Sequence, residues 1–299
     1  MITGPTASGK TRLAIEVAEA VGGEIVSADS MQVYRHLDIG TAKPTARERG
    51  RVPHHLIDVA DPDEAFHAAR FLSEADRVIA DIAGRGRVAV VCGGTALYLK
   101  ALLHGLAPAP GRDPEVRAEL EARWDRGERE ALCRELARVD PEAARRLHPN
   151  DRTRIVRALE VWRVTGRPMS VFHRGHAFAP VRYRALMVGL RIDREALYRK
   201  IDARVVSMVE AGWVEEVRRV LSMGYGANLP PLQAIGYRQI CSHLLERRPL
   251  DQAVAEIQQK TRRFAKRQMT WFRRMPIRWV RPEAAAEVLA LWRAFSRAP

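Results

Sequence analysis

One short segment near the start of the chain constrains the fold more than any other. It consists of Gly4, Pro5, Thr6, Ala7, Ser8, Gly9, Lys10 and Thr11, and it matches the pattern G-x-x-x-x-G-K-[ST]. In such a loop the glycines let backbone amides encircle a phosphate group, and the lysine adds a positive charge. Apolar residues at helical spacing follow directly, so the positive end of a helix dipole would face the bound anion. The segment therefore predicts a strand, a phosphate-binding loop and a helix.

Two features of this loop carry further expectations. Its last residue, Thr11, has the hydroxyl that ligates Mg²⁺ in loops of this pattern. Only Met1, Ile2 and Thr3 come before the loop, whereas a central strand usually has about five or six residues. We therefore expect either a very short first strand or a natural start upstream of Met1.

Strand and helix patterns alternate through the first third of the chain. Short apolar runs at Glu24–Ser27 and Val88–Cys92 predict strands. Between them, apolar residues recur at helical spacing over Leu72–Ile82, and Gly84 ends that helix. Such alternation predicts a parallel sheet with helices on its faces. We therefore expect an α/β fold whose parallel-sheet core is like that of phosphate-loop NTPases.

The middle of the chain interrupts this pattern. Leu106–Gly111 is rich in proline and alanine and predicts a linker, after which the pattern is helical throughout. An apolar run within Arg184–Leu190 then predicts another strand. We therefore predict a helical insertion domain at 111–180 within a core formed by 1–110 and 181–299. The C-terminal part of this core is expected to be helical over Glu195–Met223, Pro249–Met275 and Pro282–Phe295.

The charge of the chain predicts a polyanionic partner, most simply a nucleic acid. There are 50 Lys and Arg against 36 Asp and Glu, which gives a net charge of +14. No run of about 18 apolar residues occurs, so no membrane span is expected, and the early phosphate loop leaves no room for a signal peptide. The three cysteines, Cys92, Cys133 and Cys241, are too far apart for metal spacing. A cytoplasmic protein in a reducing compartment fits best.

A strongly basic segment near the C-terminus points to the same class of partner. Lys260–Arg281 contains nine basic residues and no acidic one, with aromatic residues between them. This composition is typical of a groove that follows phosphates and stacks bases. We expect the charges to contact RNA, because nine uncompensated positive charges would repel one another. The aromatic Phe264 and Trp271, together with Gln268, are expected to pack inward as part of a helix core.

The phosphate loop alone does not decide the reaction. It predicts binding of a nucleotide such as ATP, or of another diphosphate. An ATPase usually adds an acidic residue at the end of a second apolar strand, but Val88–Cys92 runs into Gly93–Thr95 without one. ATP hydrolysis is therefore not the natural interpretation, although a small-molecule or nucleoside kinase stays open as an alternative.

Two polar residues follow predicted strands and are candidates for chemistry. Asp29 comes just after Glu24–Ser27, and Thr95 comes just after Val88–Cys92. Because ligands bind at the carboxyl ends of the strands in an open parallel sheet, we expect both residues to face the phosphate loop. The alternative role for each is to cap the following turn or helix, and capping and catalysis do not exclude each other.

A series of short motifs runs in order through nearly the whole chain. They are Gly4–Thr11, Asp29–Tyr34, Asp38–Pro44, Pro53–Asp58, Gly93–Tyr98, Asn150–Asp151 with Arg154, Arg157–Val161, Gln233–Arg238 and Lys266–Arg273. This order strongly resembles the bacterial tRNA dimethylallyltransferases (tRNA isopentenyltransferases). No single motif after the phosphate loop is specific, but their sequence along the chain is.

The resemblance implies a prenyl transfer rather than a reaction of ATP. A dimethylallyl group would pass from dimethylallyl diphosphate to the exocyclic amine of the adenosine immediately 3′ of the anticodon, releasing diphosphate. It implies that the phosphate loop holds this diphosphate with Mg²⁺ and Lys10, and that Arg204 binds it as well. Asp29 would be the general base, and Thr95 would donate to the oxygen that bridges the allyl group and the diphosphate.

The resemblance also implies a tRNA partner, recognised at its anticodon stem-loop, and a monomer is the default expectation for the chain. The implied contact residues are Asp29, Ser30, Met31, Gln32, Thr95, Arg117, Thr153, Arg154, Ile155, Val156, Arg157, Gln233, Gly236, Tyr237, Arg238, Lys266, Arg267, Gln268, Thr270, Trp271 and Arg273. Two rival functions remain besides the kinase. One is prenyl transfer to free adenine nucleotides, which needs no basic segment. The other is a non-catalytic RNA-binding protein that uses the loop as a nucleotide sensor.

Overall fold

A parallel β-sheet of six strands forms the centre of the fold, as the sequence predicted. The computed structural model describes residues 1–176 and 181–297. The strands in this part of the chain are β1 (Ile2–Thr3), β2 (Gly23–Ser27), β3 (His54–His55), β4 (Val88–Cys92), β5 (Val188–Leu190) and β6 (Arg278–Val280). Their spatial order is β3-β2-β4-β1-β5-β6, and the paired strands are parallel.

The chain divides into two compact units, a larger one with the sheet and a smaller helical one. The larger comprises Met1–Leu103 and the chain from Tyr183 onward, and the smaller comprises His104–Arg182. The larger unit contains the helices α1 (Lys10–Val21), α2 (Ala46–Arg51), α3 (Ala68–Gly84), α4 (Ala96–His104), α10 (Arg194–Glu210), α11 (Trp213–Ser222), α12 (Tyr237–Glu246), α13 (Leu250–Phe272) and α14 (Ala285–Arg297). The smaller unit contains α5 (Pro114–Asp125), α6 (Arg129–Val139), α7 (Pro141–Arg146), α8 (Arg152–Thr165) and α9 (Met169–His176).

The predicted domain boundaries remain predictions. The predicted start of the insertion at Gly111 lies in the segment between α4 and α5, whereas the compact units divide after Leu103. Its predicted end at Pro180 lies outside the described residues. Leucines form the core of the smaller unit, with Leu120, Leu132 and Leu159 fully buried. No helix in the described part of the chain is long and apolar enough to cross a membrane.

The first strand is very short but occupies a central position. β1 has two residues, and Ile2 is paired with Cys92 of β4 on one side and with Val188 of β5 on the other. The helix that follows the loop, α1, buries Leu13 and Ile15 completely. Pairing on both sides and burial of the following helix hold the phosphate loop in place without a long strand.

Three loops leave the sheet at the carboxyl ends of neighbouring strands. They follow β1, β2 and β4, and the ends of β2 and β4 are in register at Ser27 and Cys92. Backbone hydrogen bonds join the loops directly, since the Ala28 amide donates to the Cys92 carbonyl at 2.8 Å and the Thr95 amide donates to the Ala28 carbonyl at 3.2 Å. The predicted convergence of the phosphate loop, Asp29 and Thr95 at one edge follows from this topology.

The C-terminal part is mostly helical, as expected from the sequence. The stretch Glu195–Met223 contains two helices, α10 and α11, because Gly212 adopts φ +98°, a backbone conformation that α-helices exclude. The sequence did not indicate that Arg278–Val280, beyond α13, forms the edge strand β6 beside β5. Three residues are too few for a recognisable strand pattern, so only sheet pairing reveals β6.

Candidate active site

A cavity of about 450 Å³ lies where these loops meet. Its polar lining includes Thr6, Lys10, Thr11, Asp29, Ser30, Gln32, Thr41, Thr95, Arg204, Arg267 and Gln268. The structure therefore brings together the four residues expected to carry the chemistry, Lys10, Asp29, Thr95 and Arg204. They come from four separate elements, the phosphate loop with α1, the loop after β2, the loop after β4 and α10.

The phosphate loop is a tight turn built on positive φ angles. Gly4, Ala7 and Gly9 all have positive φ angles, of 147°, 61° and 90°. Ala7 is the exception among them, because an L side chain rarely adopts this region outside special turns. The Lys10 ammonium folds back onto the loop and donates to the Pro5 carbonyl at 2.8 Å. The loop is thus already ordered, with its lysine at the cavity wall.

The cations of the cavity are incompletely compensated. Burial lowers the pKa of Lys10 to about 8, and the nearby positive charge of Arg204 acts in the same direction, while Asp29 opposes it. Burial also lowers the pKa of Arg204, again against the effect of Asp29. Burial raises the pKa of the Cys92 thiol to about 11, so this thiol stays neutral at pH 7. An anionic ligand would offset both positive charges, so the cavity favours a phosphate-containing molecule.

The Asp29 carboxylate is fixed through only one of its oxygens. Oδ1 accepts hydrogen bonds from the backbone amides of Met31 at 2.9 Å and Gln32 at 3.3 Å. No donor among residues 1–176 and 181–297 bonds Oδ2. The capping role that the sequence left open is therefore real, but it uses one oxygen and leaves the other available to accept a proton.

Thr95 joins the loops after β2 and β4. Its Oγ1 accepts a hydrogen bond from the Ser30 amide at 3.1 Å and lies 3.4 Å from Ser30 Oγ. Although Thr95 immediately precedes α4, these two bonds reach across to the Asp29 loop. Among the described residues, the hydroxyl hydrogen has a single long, weak interaction, with Ser30, so a better acceptor in the cavity would displace it.

A buried carboxylate that sequence reasoning missed holds a further wall of the cavity. Glu216 is 2% exposed, and its oxygens accept hydrogen bonds from the amides of Asp38 at 2.7 Å, Ile39 at 2.6 Å and Gly40 at 3.2 Å. The Tyr237 hydroxyl donates to it as well, at 2.7 Å. Gly40 lines the cavity, so Glu216 fixes the position of that wall. A signal was present, because Glu216 falls on the apolar face of an amphipathic helix.

We expect Glu216→Gln to lower the free energy of unfolding by about 1–3 kcal/mol. The amide nitrogen of glutamine cannot accept, so at least one of the four donors loses its buried partner. Urea unfolding measures the change, and Glu215→Gln is the matched control because Glu215 is exposed on the same helix. Equal stability of the two variants would contradict this role for Glu216.

Helix α13 buries one face and exposes its aromatic residues Phe264 and Trp271. The inward face buries Ala265, Gln268 and Phe272. Phe264 and Trp271 are 37% and 40% exposed, so the expectation that they pack inward was wrong, whereas that for Gln268 is confirmed. Each aromatic precedes an inward residue by one position, which rotates it about 100° out of the core. Phe264 lines the cavity, and the Arg267 guanidinium lies 5.8 Å from its ring centroid.

Two of the nine basic side chains in Lys260–Arg281 form ion pairs with carboxylates elsewhere in the chain. Lys260 pairs with Glu256 at 2.6 Å, and Arg262 pairs with Asp202 at 2.5 Å. In the described part of the chain no carboxylate lies within 4.0 Å of the other seven, namely Arg263, Lys266, Arg267, Arg273, Arg274, Arg278 and Arg281. A basic face can be defined by the exposed side chains of Arg263, Lys266, Thr270 and Arg273, which recur every three or four residues.

Two of the implied tRNA contacts, Gly236 and Tyr237, are buried in the structure. Tyr237 is buried and its hydroxyl bonds Glu216, while a Cβ on Gly236 would lie 2.1 Å from the Trp213 ring. The structure thus gives Gly236 and Tyr237 packing roles. Gln233 and Arg238 are exposed and stay predicted contacts. The Gln233 side chain donates to the Ala227 carbonyl at 2.7 Å.

The implied tRNA contacts at the start of α8 in the smaller unit also include both buried and exposed residues. Ile155 and Val156 are buried in its core, so their side chains pack rather than face a partner. Thr153 and Arg154 are exposed in the first turn of α8.

Arg117 and Arg157 of the smaller unit both pair with one buried carboxylate. Their guanidinium groups lie 3.2 Å and 3.0 Å from Glu160, which is fully buried and which the sequence did not single out. Arg117 also pairs with Glu121 at 2.9 Å, so two carboxylates compensate the two cations at this point.

Comparison with known families decides what kind of protein this is. The model of the IPP transferase family matches residues 32–275, and that of isopentenyl transferases matches residues 1–57. The chain belongs to the IPP transferase family. It is 55% identical over 281 residues to a tRNA dimethylallyltransferase of Geobacter metallireducens, covering 94% of this chain and 91% of that protein. A tRNA dimethylallyltransferase of Myxococcus xanthus is 52% identical over 276 residues, which cover 92% of this chain and 89% of that protein.

Solved structures of IPP transferases agree with this assignment. A tRNA isopentenylpyrophosphate transferase of Bacillus halodurans has a TM-score of 0.73 and 37% identity, covering 98% of this chain and 95% of that chain. A eukaryotic dimethylallyltransferase acting on tRNA has a TM-score of 0.85 and 27% identity, covering 100% of this chain and 79% of that chain. The resemblance, the α/β fold and the transferase class expected from the sequence are confirmed.

Proposed function

We propose that this chain transfers the dimethylallyl group of dimethylallyl diphosphate to the exocyclic amine of the adenosine immediately 3′ of the anticodon in tRNA. One observation carries the proposal. A single cavity contains an ordered phosphate loop, two incompletely compensated cations, a carboxylate with an open oxygen and a hydroxyl with a weak partner. Membership in the IPP transferase family supports the same reaction.

The donor side of the cavity suits a diphosphate leaving group. Backbone amides of the phosphate loop, the Lys10 ammonium and the Arg204 guanidinium would neutralise the charge that develops as the bond from carbon to oxygen breaks. Thr95 would donate its hydroxyl hydrogen to the bridging oxygen, where negative charge first appears. These groups thus act on the leaving group rather than on the acceptor.

The allyl group requires apolar surroundings. Aliphatic side chains also line the cavity, namely Ile201, Val205, Met208, Ile235 and Ile257. An allylic carbon that develops positive charge reacts readily with water, so an apolar wall protects it until the acceptor attacks. The same wall accommodates the dimethylallyl chain, and the cavity volume is within the usual range for small-molecule sites.

Asp29 completes the reaction on the acceptor side. The adenine amine is a poor nucleophile because its lone pair is delocalised into the ring. As a bond forms from this nitrogen to the allylic carbon and the bond from that carbon to oxygen breaks, the nitrogen gives up a proton, which Asp29 Oδ2 accepts. The base must leave its stack to reach the cavity, and single-stranded loops of RNA permit this at low cost.

Mg²⁺ fits the donor site as an ion shared with the diphosphate. Thr11 lines the cavity beside Lys10. Mg²⁺ typically binds through one or two protein oxygens together with phosphate oxygens and water, so the Thr11 hydroxyl suits the role of protein ligand. When bound, the ion would supply further positive charge to the departing diphosphate.

We expect the double variant Arg263→Glu and Lys266→Glu to weaken tRNA binding with little change in the affinity for dimethylallyl diphosphate. Both residues belong to the basic face and lie outside the cavity, whereas Arg267 lines the cavity and is left unchanged. The slope of log affinity against log salt should fall by about 0.7–0.9 for each phosphate group that the variant no longer binds.

The control for this variant is the pair Arg47→Glu and Arg219→Glu, which makes the same change in net charge at exposed positions outside α13. Binding of tRNA and of the donor is measured at several salt concentrations. An unchanged salt slope would mean that the basic face does not contact RNA. Equal losses of affinity for both ligands would indicate misfolding and would also contradict the proposed separation of the two sites.

Transfer of labelled dimethylallyl to an unmodified anticodon stem-loop tests the proposed function against its rivals. We expect label in the stem-loop, none in free adenine nucleotides and no phosphate released from ATP. Label in adenine nucleotides would favour the free-nucleotide prenyltransferase. Turnover of ATP without transfer would favour a kinase, and binding of the stem-loop without either reaction would favour a non-catalytic RNA-binding protein.

A further inference from the structure

One buried side chain connects three elements of the cavity. Gln268 on α13 is 7% exposed. Its Oε1 accepts a hydrogen bond from the Thr6 amide of the phosphate loop at 2.9 Å, and its Nε2 donates to the Gly94 carbonyl at 2.9 Å. Gly94 immediately precedes Thr95. A single carboxamide therefore spans the loop that holds the leaving group and the loop that carries its hydrogen-bond donor.

The surroundings of Gln268 are shaped to its carboxamide. A Cβ on Gly94 would lie 2.6 Å from Gln268 Nε2, so a larger residue there would displace the carboxamide from its present position. The two bonds also use both ends of the amide, because one needs an acceptor and the other a donor. Neither Glu nor Met satisfies both. Both ends of the Gln268 amide thus bond within the protein, and its implied contact with tRNA stays a prediction.

Gln268 lies on the helix that also carries the basic face. Arg267, its neighbour in sequence, lines the cavity, and Lys266 is exposed beside it. A ligand bound to the basic face would contact the same helix that holds Thr6 and Gly94. Because helices move as rigid units, a small displacement of α13 would shift both loops together.

We propose that Gln268 is a positioning residue that sets the phosphate loop and Thr95 relative to each other and so couples occupancy of the donor site to tRNA binding. This rests on the proposed function. Coupling between two ligands is reciprocal, and typical couplings change affinity by about 5-fold to 150-fold. Wild-type protein should therefore bind the anticodon stem-loop with a different affinity when inorganic diphosphate and Mg²⁺ fill the donor site.

The test measures the dissociation constant of an unmodified anticodon stem-loop with and without inorganic diphosphate and Mg²⁺. Gln268→Met keeps the volume and removes both hydrogen bonds, and Gln259→Met is the matched control on the exposed side of the same helix. We expect the affinity ratio to fall to about one in Gln268→Met and to stay at the wild-type value in Gln259→Met. An equal loss of stem-loop affinity with and without diphosphate would overturn the proposal in favour of a direct RNA contact.

A second variant covers the case in which Gln268→Met does not fold. Gln268→Glu keeps the acceptor for the Thr6 amide and loses the donor to Gly94. We expect diphosphate affinity to fall because the added negative charge lies beside the phosphate loop, and the single-turnover transfer rate at saturating donor to fall by about 10-fold to 10²-fold because Thr95 is misplaced. Wild-type transfer rates in this variant would overturn the inference. If the wild-type protein itself transfers no dimethylallyl group, the proposed function fails instead, so the two failures are distinguishable.

Discussion

Asp29→Asn is expected to lower the single-turnover rate of transfer by about 10²-fold or more, with tRNA affinity nearly unchanged. Asparagine keeps an oxygen at the position of Oδ1, so the bonds from the Met31 and Gln32 amides can persist. What it loses is the second carboxylate oxygen, which we infer to take the proton of the attacking amine. Rapid-quench measurement at saturating donor and tRNA isolates this step.

Asp29→Ala separates the chemical role from the turn that Asp29 stabilises. Alanine removes both the general base and the hydrogen bonds of the turn. The transfer rate of Asp29→Ala should therefore be at or below that of Asp29→Asn, and its free energy of unfolding should be lower. If asparagine has the wild-type rate and only alanine is slow, Asp29 acts by holding the turn, and the general-base assignment is wrong.

Thr95→Ala is expected to slow transfer by about 10²-fold with little loss of donor affinity, because a hydrogen bond to the bridging oxygen strengthens only as that bond breaks. Thr95→Ser keeps the hydroxyl and should retain most of the rate. Rates and donor binding are measured together, since Thr95 also accepts from the Ser30 amide. If alanine lowers only the thermal stability and not the rate, Thr95 serves to join the two loops.

Much of this site could be predicted from sequence because its residues are local. The phosphate loop and the residues after β2 and β4 each follow a short apolar strand. Parallel topology then places the ends of neighbouring strands together without further information. The strands Gly23–Ser27 and Val88–Cys92 were recognised because they are continuous apolar runs between turn residues. Arg204 is different, since it was found only by resemblance to a family.

What sequence reasoning missed depends on distant partners. Glu216 and Glu160 are buried carboxylates that accept from the amides of Asp38 and Asp113, 178 and 47 residues away. The inward direction of Gln268 was expected, but its partners Thr6 and Gly94, 262 and 174 residues away, were not. No local pattern indicates such partners, although a polar residue on an apolar helix face indicates that some partner must exist. The exposed aromatics of α13 were misjudged for a related reason. A shift of one position on a helix changes the facing direction by about 100°, which spacing alone does not settle.

Mass spectrometry of nucleosides from an unmodified tRNA, incubated with the protein, dimethylallyl diphosphate and Mg²⁺, tests most directly whether this cavity joins a dimethylallyl group to adenosine. We expect one dimethylallyl group on the exocyclic amine of the adenosine immediately 3′ of the anticodon, and almost none at early times with Asp29→Asn. A tRNA that stays unmodified, or one that carries the group on another nucleoside, would contradict the proposed function.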